Sequence, residues 1–165
     1  MVVTAWIDPE DLELFNRLRR SLFPAERNYL SAHVTLFHHI PSPVRQDFID
    51  ACRQEAEHLP PLTLAVGEPF SLGKGVAFPV SHPRLSAFRA ALRSRFADHL
   101  TAQDDRPWKR PHITVQNKVD PPTARETLER LRERALPPDL RVRGIACHRY
   151  DGGPWTLLTE IPFCG

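Results

Sequence analysis

Nowhere in this chain of 165 residues do apolar side chains run on for the roughly 20 positions that a membrane span requires. The opening residues, Met1-Val2-Val3-Thr4-Ala5-Trp6-Ile7-Asp8, lack both a basic start and a following apolar run. They are expected to form a strand and not a secretory signal. Cysteine is scarce: Cys52, Cys147 and Cys164 are odd in number and have no metal-ligand spacing. That pattern favours a reduced, cytoplasmic protein, with a Cys147–Cys164 bridge left open. No carboxylate cluster suited to Mg²⁺ stands out. A net charge of +2 is too small to mark a general nucleic-acid binder.

What remains is an ordinary soluble composition, 41% hydrophobic and 25% charged, in a length that suits one domain. Two of the lysines, Lys109 and Lys118, lie with Arg106 and Arg110 around residues 111–117. Such a cluster reads equally as a solvated loop or as the cationic rim of a phosphate-binding cleft.

The most informative feature is a repetition. His33-Val34-Thr35-Leu36 recurs as His112-Ile113-Thr114-Val115. On a strand, residues two apart share a face, so each segment sets an imidazole beside a hydroxyl and turns two apolar side chains the other way. The bare H-x-T pattern is cheap: 8 histidines and 9 threonines in 165 residues produce about 0.4 copies by chance. A third copy, His99-Leu100-Thr101, follows a helical stretch, where His and Thr would diverge around the axis. It is read as a coincidence.

The surroundings of the first two copies carry the argument. Helical stripes run through Leu12, Phe15, Leu18 and Leu22; through Val44, Phe48, Ala51/Cys52 and Leu59; through Leu85, Phe88, Leu92 and Phe96; and through Ala124, Leu128, Leu131 and Ala135. Asp8-Pro9, Ser42-Pro43, Pro83 and Pro121-Pro122 mark their starts. Strands are expected near 2–7, 32–37, 62–71, 75–81, 111–117, 139–149 and 155–161, with turns at Gly73-Lys74-Gly75 and Asp151-Gly152-Gly153-Pro154.

These elements fall into two matching halves, about 1–72 and 75–165. The strand at 2–7 matches that at 75–81, Phe15 matches Phe88, and His33 and Thr35 match His112 and Thr114. Leu59-Pro60-Pro61 likewise matches Leu136-Pro137-Pro138. The expectation is a single α+β domain made of duplicated β-α-β-α-β units. Packing about a pseudo-two-fold axis would bring the two middle strands together.

Two facing histidines supply a base on one side of a phosphate and an acid on the other. The Thr35 and Thr114 hydroxyls are placed to donate to its non-bridging oxygens. No metal or cofactor is needed for that chemistry. Phe37 and Gln116 hold the next position on the same face of each strand, where Phe37 would either stack a nucleobase or join the core. Lys118 and Tyr150 are further candidates for contacting substrate; Arg149 and Trp155 are also placed to line the groove, with Trp155 read chiefly as a packing anchor. His38 and His39 invite a metal-site reading, but His38 falls on the face opposite His33, and no acidic ligand is evident in the sequence. His148 is assigned no role.

With both motifs intact, the chain resembles the 2H phosphoesterase superfamily, specifically its 2′-5′ RNA ligase-like branch. The stretch from Arg110 to Lys118 and the turn from Arg149 to Trp155 share the resemblance. It implies antiparallel-dominated sheets in two lobes around a central groove, with helices outside. It also implies metal-independent action on 2′,3′-cyclic phosphate ends of RNA, small nucleotides or 2′-5′ linkages. His33 and His112 become the acid/base pair, with His112 favoured as the base, and Thr35 and Thr114 hold the phosphate. The protein is expected to be a monomer without a membrane partner. The competing readings are a non-catalytic RNA-end or nucleotide-binding module using the same groove, and a metal-dependent hydrolase built on His38 and His39.

Overall fold

The computed structural model describes residues 1–134, 136 and 138–165. Ala135 of the fourth stripe and Pro137 of the matched Leu-Pro-Pro segments lie outside the described residues. The chain runs β1 (Val2–Ile7), α1 (Pro9–Leu22), β2 (Thr35–Phe37), α2 (Arg45–Ala56), β3 (Leu62–Val66) and β4 (Phe70–Ser71). It continues through β5 (Val76–Ser81), α3 (Pro83–Arg95), β6 (His112–Gln116), α4 (Pro121–Arg132), β7 (Asp139–Arg149) and β8 (Thr156–Pro162). No helix among the described residues is long and apolar enough to cross a membrane.

Local chemistry sets most of the boundaries. The Asp8 carboxylate accepts from the Glu10 amide at 3.1 Å to cap α1, with Pro9 in its first turn. Asp120 caps α4 by accepting from the Thr123 amide, and the His82 ring caps α3 by accepting from the Arg84 amide. Ser42-Pro43 opens a short 3₁₀ turn, with α2 starting only at Arg45. The strand expected over 62–71 is broken at Gly67-Glu68-Pro69. There the Gly67 amide turns aside to the Pro79 carbonyl, and Pro69 has no amide to offer a neighbour. Gly73 (φ 81°) and Gly152 (φ 89°) take left-handed conformations in the β4–β5 and β7–β8 turns.

All strand pairings among the described residues are antiparallel. β7 lies between β1 on one side and β3 followed by β8 on the other, so that Val142 pairs with both Ile7 and Leu62. β1 continues to β2; β3 continues to β5, which pairs with β4 and β6. An isolated bridge between Val34 and Ile113 then joins the β2 edge to β6 and nearly closes the eight strands into a barrel. The order β1-α1-β2-α2-β3-β4 repeats as β5-α3-β6-α4-β7-β8. β1 beside β2 and β7 corresponds to β5 beside β6 and β3.

The core lies behind the motif strands. Val34, Leu36, Ile113 and Val115 are fully buried in one cluster with Phe15, Phe48, Phe78 and Leu140. Helix α1 packs on β6, and the Phe15 ring meets Phe78 edge-on at 5.9 Å. Burying side chains of this size stabilises the fold by about 1.5–3 kcal/mol each.

Candidate active site

His33 precedes β2 and His112 opens β6, and each is partly buried while the apolar residue after it is sealed in the core. The Val34–Ile113 bridge is antiparallel, so its register sets His33 opposite Thr114 and Thr35 opposite His112. All four side chains of the two motifs therefore gather on one face at the seam between the halves. On the side away from that seam, Thr35 pairs with Thr4 of β1, and Thr114 with Ala77 of β5.

The two imidazoles are held alike. His33 Nδ1 lies 2.7 Å from the Ser31 carbonyl oxygen, and His112 Nδ1 lies 2.9 Å from the Arg110 carbonyl oxygen. A carbonyl only accepts, so Nδ1 carries the proton in both rings and Nε2 is left for proton transfer. Each ring also has an aromatic neighbour. Trp155, just before β8, sits 4.6 Å from His33, and Phe70 of β4 meets His112 edge-on at 5.7 Å. The Arg110 guanidinium covers the Phe70 ring at 4.7 Å.

Burial sets the charge state of His33. Burial pushes the His33 imidazole down to about 4, and the positive charge of Arg19 and the nearby His148 and His112 act in the same direction. The Ser31 carbonyl opposes the shift without cancelling it. His33 is consequently neutral at physiological pH.

Arg19 of α1 is the buried cation of the site. Its guanidinium donates to the Thr114 carbonyl at 2.9 Å and to Asn28 Oδ1 at 3.1 Å, and it covers the Phe23 ring. No carboxylate pairs with it among the described residues. Arg19, Arg27, Lys118, His33 and Thr114 line a cavity of about 400 Å³. Lys118 holds a left-handed backbone (φ 64°) with its amide donating to Asn117 Oδ1.

Phe37 is a correction. It is fully buried, packed edge-on against Phe48 at 5.0 Å and covered by the Arg89 guanidinium, so it cannot stack a base. The cause is a β-bulge: Thr35 pairs with Thr4 and Phe37 with the next residue, Val3, leaving Leu36 as the extra residue. One inserted residue turns Phe37 into the core. The same irregularity recurs at Val115, between Thr114 paired with Ala77 and Gln116 paired with Val76. Gln116 is correspondingly buried and donates to Thr127.

Other expectations are settled by contacts. The absence of an acidic residue near His38 is corrected, because buried Asp104 accepts from the backbone amides of His38 and His39 and faces His38 Nδ1 at 3.0 Å. Asp104 therefore ties down the turn after β2. Among the described residues, no group of three or more His, Cys, Asp and Glu side chains converges to hold a metal. The third H-x-T copy is broken up: His99 ends a 3₁₀ turn, and Thr101 hydrogen-bonds Asp104. Tyr150 stands exposed beyond the end of β7. All three cysteines are free.

Sequence reasoning missed Arg19, His148 and Tyr29, which lines the same cavity as His33. His148 Nε2 is 3.0 Å from Thr4 Oγ1, and its ring lies 5.5 Å from Trp155, in reach of the groove. Alternation along β7 was the one signal available, since it places His148 on the same face as Ala146, which pairs with Thr4.

The ring of antiparallel strands with paired H-x-T segments at its seam defines the two-histidine, or 2H, phosphoesterase class. The family description "2′-5′ RNA ligase superfamily" matches residues 7–154, and the chain belongs to that superfamily. Among solved structures, a Thermus thermophilus protein has 17% identity and a TM-score of 0.65, covering 100% of this chain and 99% of its own. E. coli LigT has 18% identity over 99% of this chain and 97% of its own, with TM-scores of 0.61 complexed with NADP⁺ and 0.63 complexed with 3′-AMP. No curated protein matches the chain.

Proposed function

We propose that the protein is a metal-independent phosphoesterase that acts on 2′,3′-cyclic phosphate ends or 2′-5′-linked nucleotides through His33 and His112. The observation that carries this reading is the matched pair of Nδ1–carbonyl bonds, which reserves one Nε2 from each motif for proton transfer across one seam. Family membership supports phosphoester chemistry, and the nucleotide complexes of LigT support a nucleotide or RNA end as the ligand class.

His33 is the base in this scheme, reversing the order favoured by the sequence. Its imidazole is already neutral at pH 7 and can take a proton from water as the water oxygen bonds to phosphorus. The bond from phosphorus to one ribose oxygen breaks, and the proton on His112 Nε2 goes to that oxygen. His33 ends protonated and His112 neutral, and exchange with solvent resets the pair. Thr35 and Thr114 donate to the non-bridging oxygens, while Arg19 and Lys118 neutralise the charge that builds there. Ligation is the same path run backwards, with a ribose hydroxyl replacing water.

Turnover of 2′,3′-cyclic nucleotides in EDTA tests the proposal. Ring opening by the wild type supports it. If the wild type instead binds a cyclic nucleotide and protects it without opening it, the binding-module reading takes its place.

A further inference from the structure

We propose that the apolar chamber on the Trp155 side of His33 is a nucleobase subsite that prefers amino-bearing bases to uracil. The inference rests on the phosphoesterase reading and specifies the part of the substrate beyond its phosphate.

Two chambers flank His33 and share Tyr29, Leu30 and His33 as a wall. The chamber of about 400 Å³ carries Arg19, Arg27 and Lys118, and its charge suits the phosphate. The other, of about 460 Å³, is walled by Trp6, Leu12, Leu30 and Trp155. A cyclic phosphate seated at His33 with its oxygens toward the cations must send its nucleoside the other way. There the Trp155 indole already lies against the His33 imidazole at 4.6 Å, which extends the aromatic surface from the reacting centre into the chamber. A flat, weakly polar base fits such a wall by stacking.

The floor reads the edge of that base. Glu160, Ala146 and Thr4 lie side by side across β8, β7 and β1, and Glu160 and His148 also line the chamber. The Thr4 hydroxyl lies 3.0 Å from His148 Nε2 and 3.5 Å from the Ala146 carbonyl, and so holds the imidazole against β1. Burial lowers the His148 pKa from its ordinary value. The chamber floor thus offers an acceptor, the Glu160 carboxylate. The exocyclic amino groups of adenine, guanine and cytosine present two N–H donors to that carboxylate, whereas uracil presents only N3–H, flanked by the O2 and O4 acceptors that repel it.

The test compares kcat/KM for the 2′,3′-cyclic phosphates of adenosine, guanosine, cytidine and uridine with base-free ribose 2′,3′-cyclic phosphate. Adenosine is expected to exceed the base-free substrate by about tenfold or more, and cytidine to exceed uridine. Trp155→Ala should bring the adenosine to base-free ratio toward one, and Glu160→Gln should narrow the cytidine to uridine ratio. A base-free substrate turned over as fast as the nucleotides overturns the subsite and leaves the phosphoesterase reading standing. If no cyclic phosphate is opened, calorimetry with adenosine 3′-monophosphate decides separately. Tighter binding than uridine 3′-monophosphate, weakened by Trp155→Ala, supports the subsite; equal or absent binding overturns it.

Discussion

Val34 and Ile113, each the residue between a motif histidine and its threonine, meet in a single antiparallel bridge that joins the two halves of the chain. Both are fully buried, so the contact that closes the ring of strands is also the contact that sets His33 opposite Thr114. The site is a product of that closure, and neither half contains it alone.

The hydroxyls come first among the predictions. Thr35→Val or Thr114→Val keeps the shape of the side chain and removes one hydrogen bond to a charged phosphate, worth about 1.5–3 kcal/mol. The expected loss in kcat/KM is about 10- to 150-fold in steady-state assays on a cyclic nucleotide, without loss of the folded state.

The pH dependence follows from His33. Its pKa in the folded protein, about 4, is below the ordinary value of 6.5, so the folded state binds its proton only at lower pH than the unfolded chain does. The associated stability is present above pH 6.5 and is lost as pH falls from there toward 4. The acid limb of kcat/KM for the free enzyme should accordingly lie well below 6.5. NMR titration of the His33 imidazole checks this directly, and a midpoint at or above 6.5 contradicts the assignment of His33 as base.

Asp104 tests how the turn after β2 is held. Removing its carboxylate in Asp104→Ala leaves the His38 and His39 amides without their partner. A loss of about 1–3 kcal/mol or more is expected in urea unfolding, with Asp104→Asn milder because its oxygen still accepts.

Gly144 tests the close approach of β7 and β8. A Cβ there would stand 2.1 Å from the Ile161 carbonyl oxygen. Gly144→Ala is expected to cost about 1–3 kcal/mol or more, visible as a lowered Tm.

The paired motifs were legible because their signal is local. His-x-Thr on a strand shows itself through period two, and a second copy among matching helices removes the coincidence. The same periodicity misplaced Phe37, since the bulge at Leu36 has no mark in the residues that form it. Its twin at Val115 buried Gln116 in the same way. Trp155 reaches His33 from a distant hairpin, and Arg19 of helix α1 reaches the Thr114 carbonyl in the other half, contacts between residues far apart in the chain. Asp104 was overlooked beside His38 for the same reason, because a long segment of chain separates the two.

The central claim is that His33 and His112 act as one acid/base unit. Its most direct test is single-turnover opening of a 2′,3′-cyclic nucleotide by His33→Ala, His112→Ala and the double variant, each confirmed as folded by circular dichroism. A unit predicts that either single variant loses nearly as much rate as the double, because one histidine without the other completes neither proton transfer. Losses that simply multiply, or a single variant retaining near wild-type rate, would contradict it.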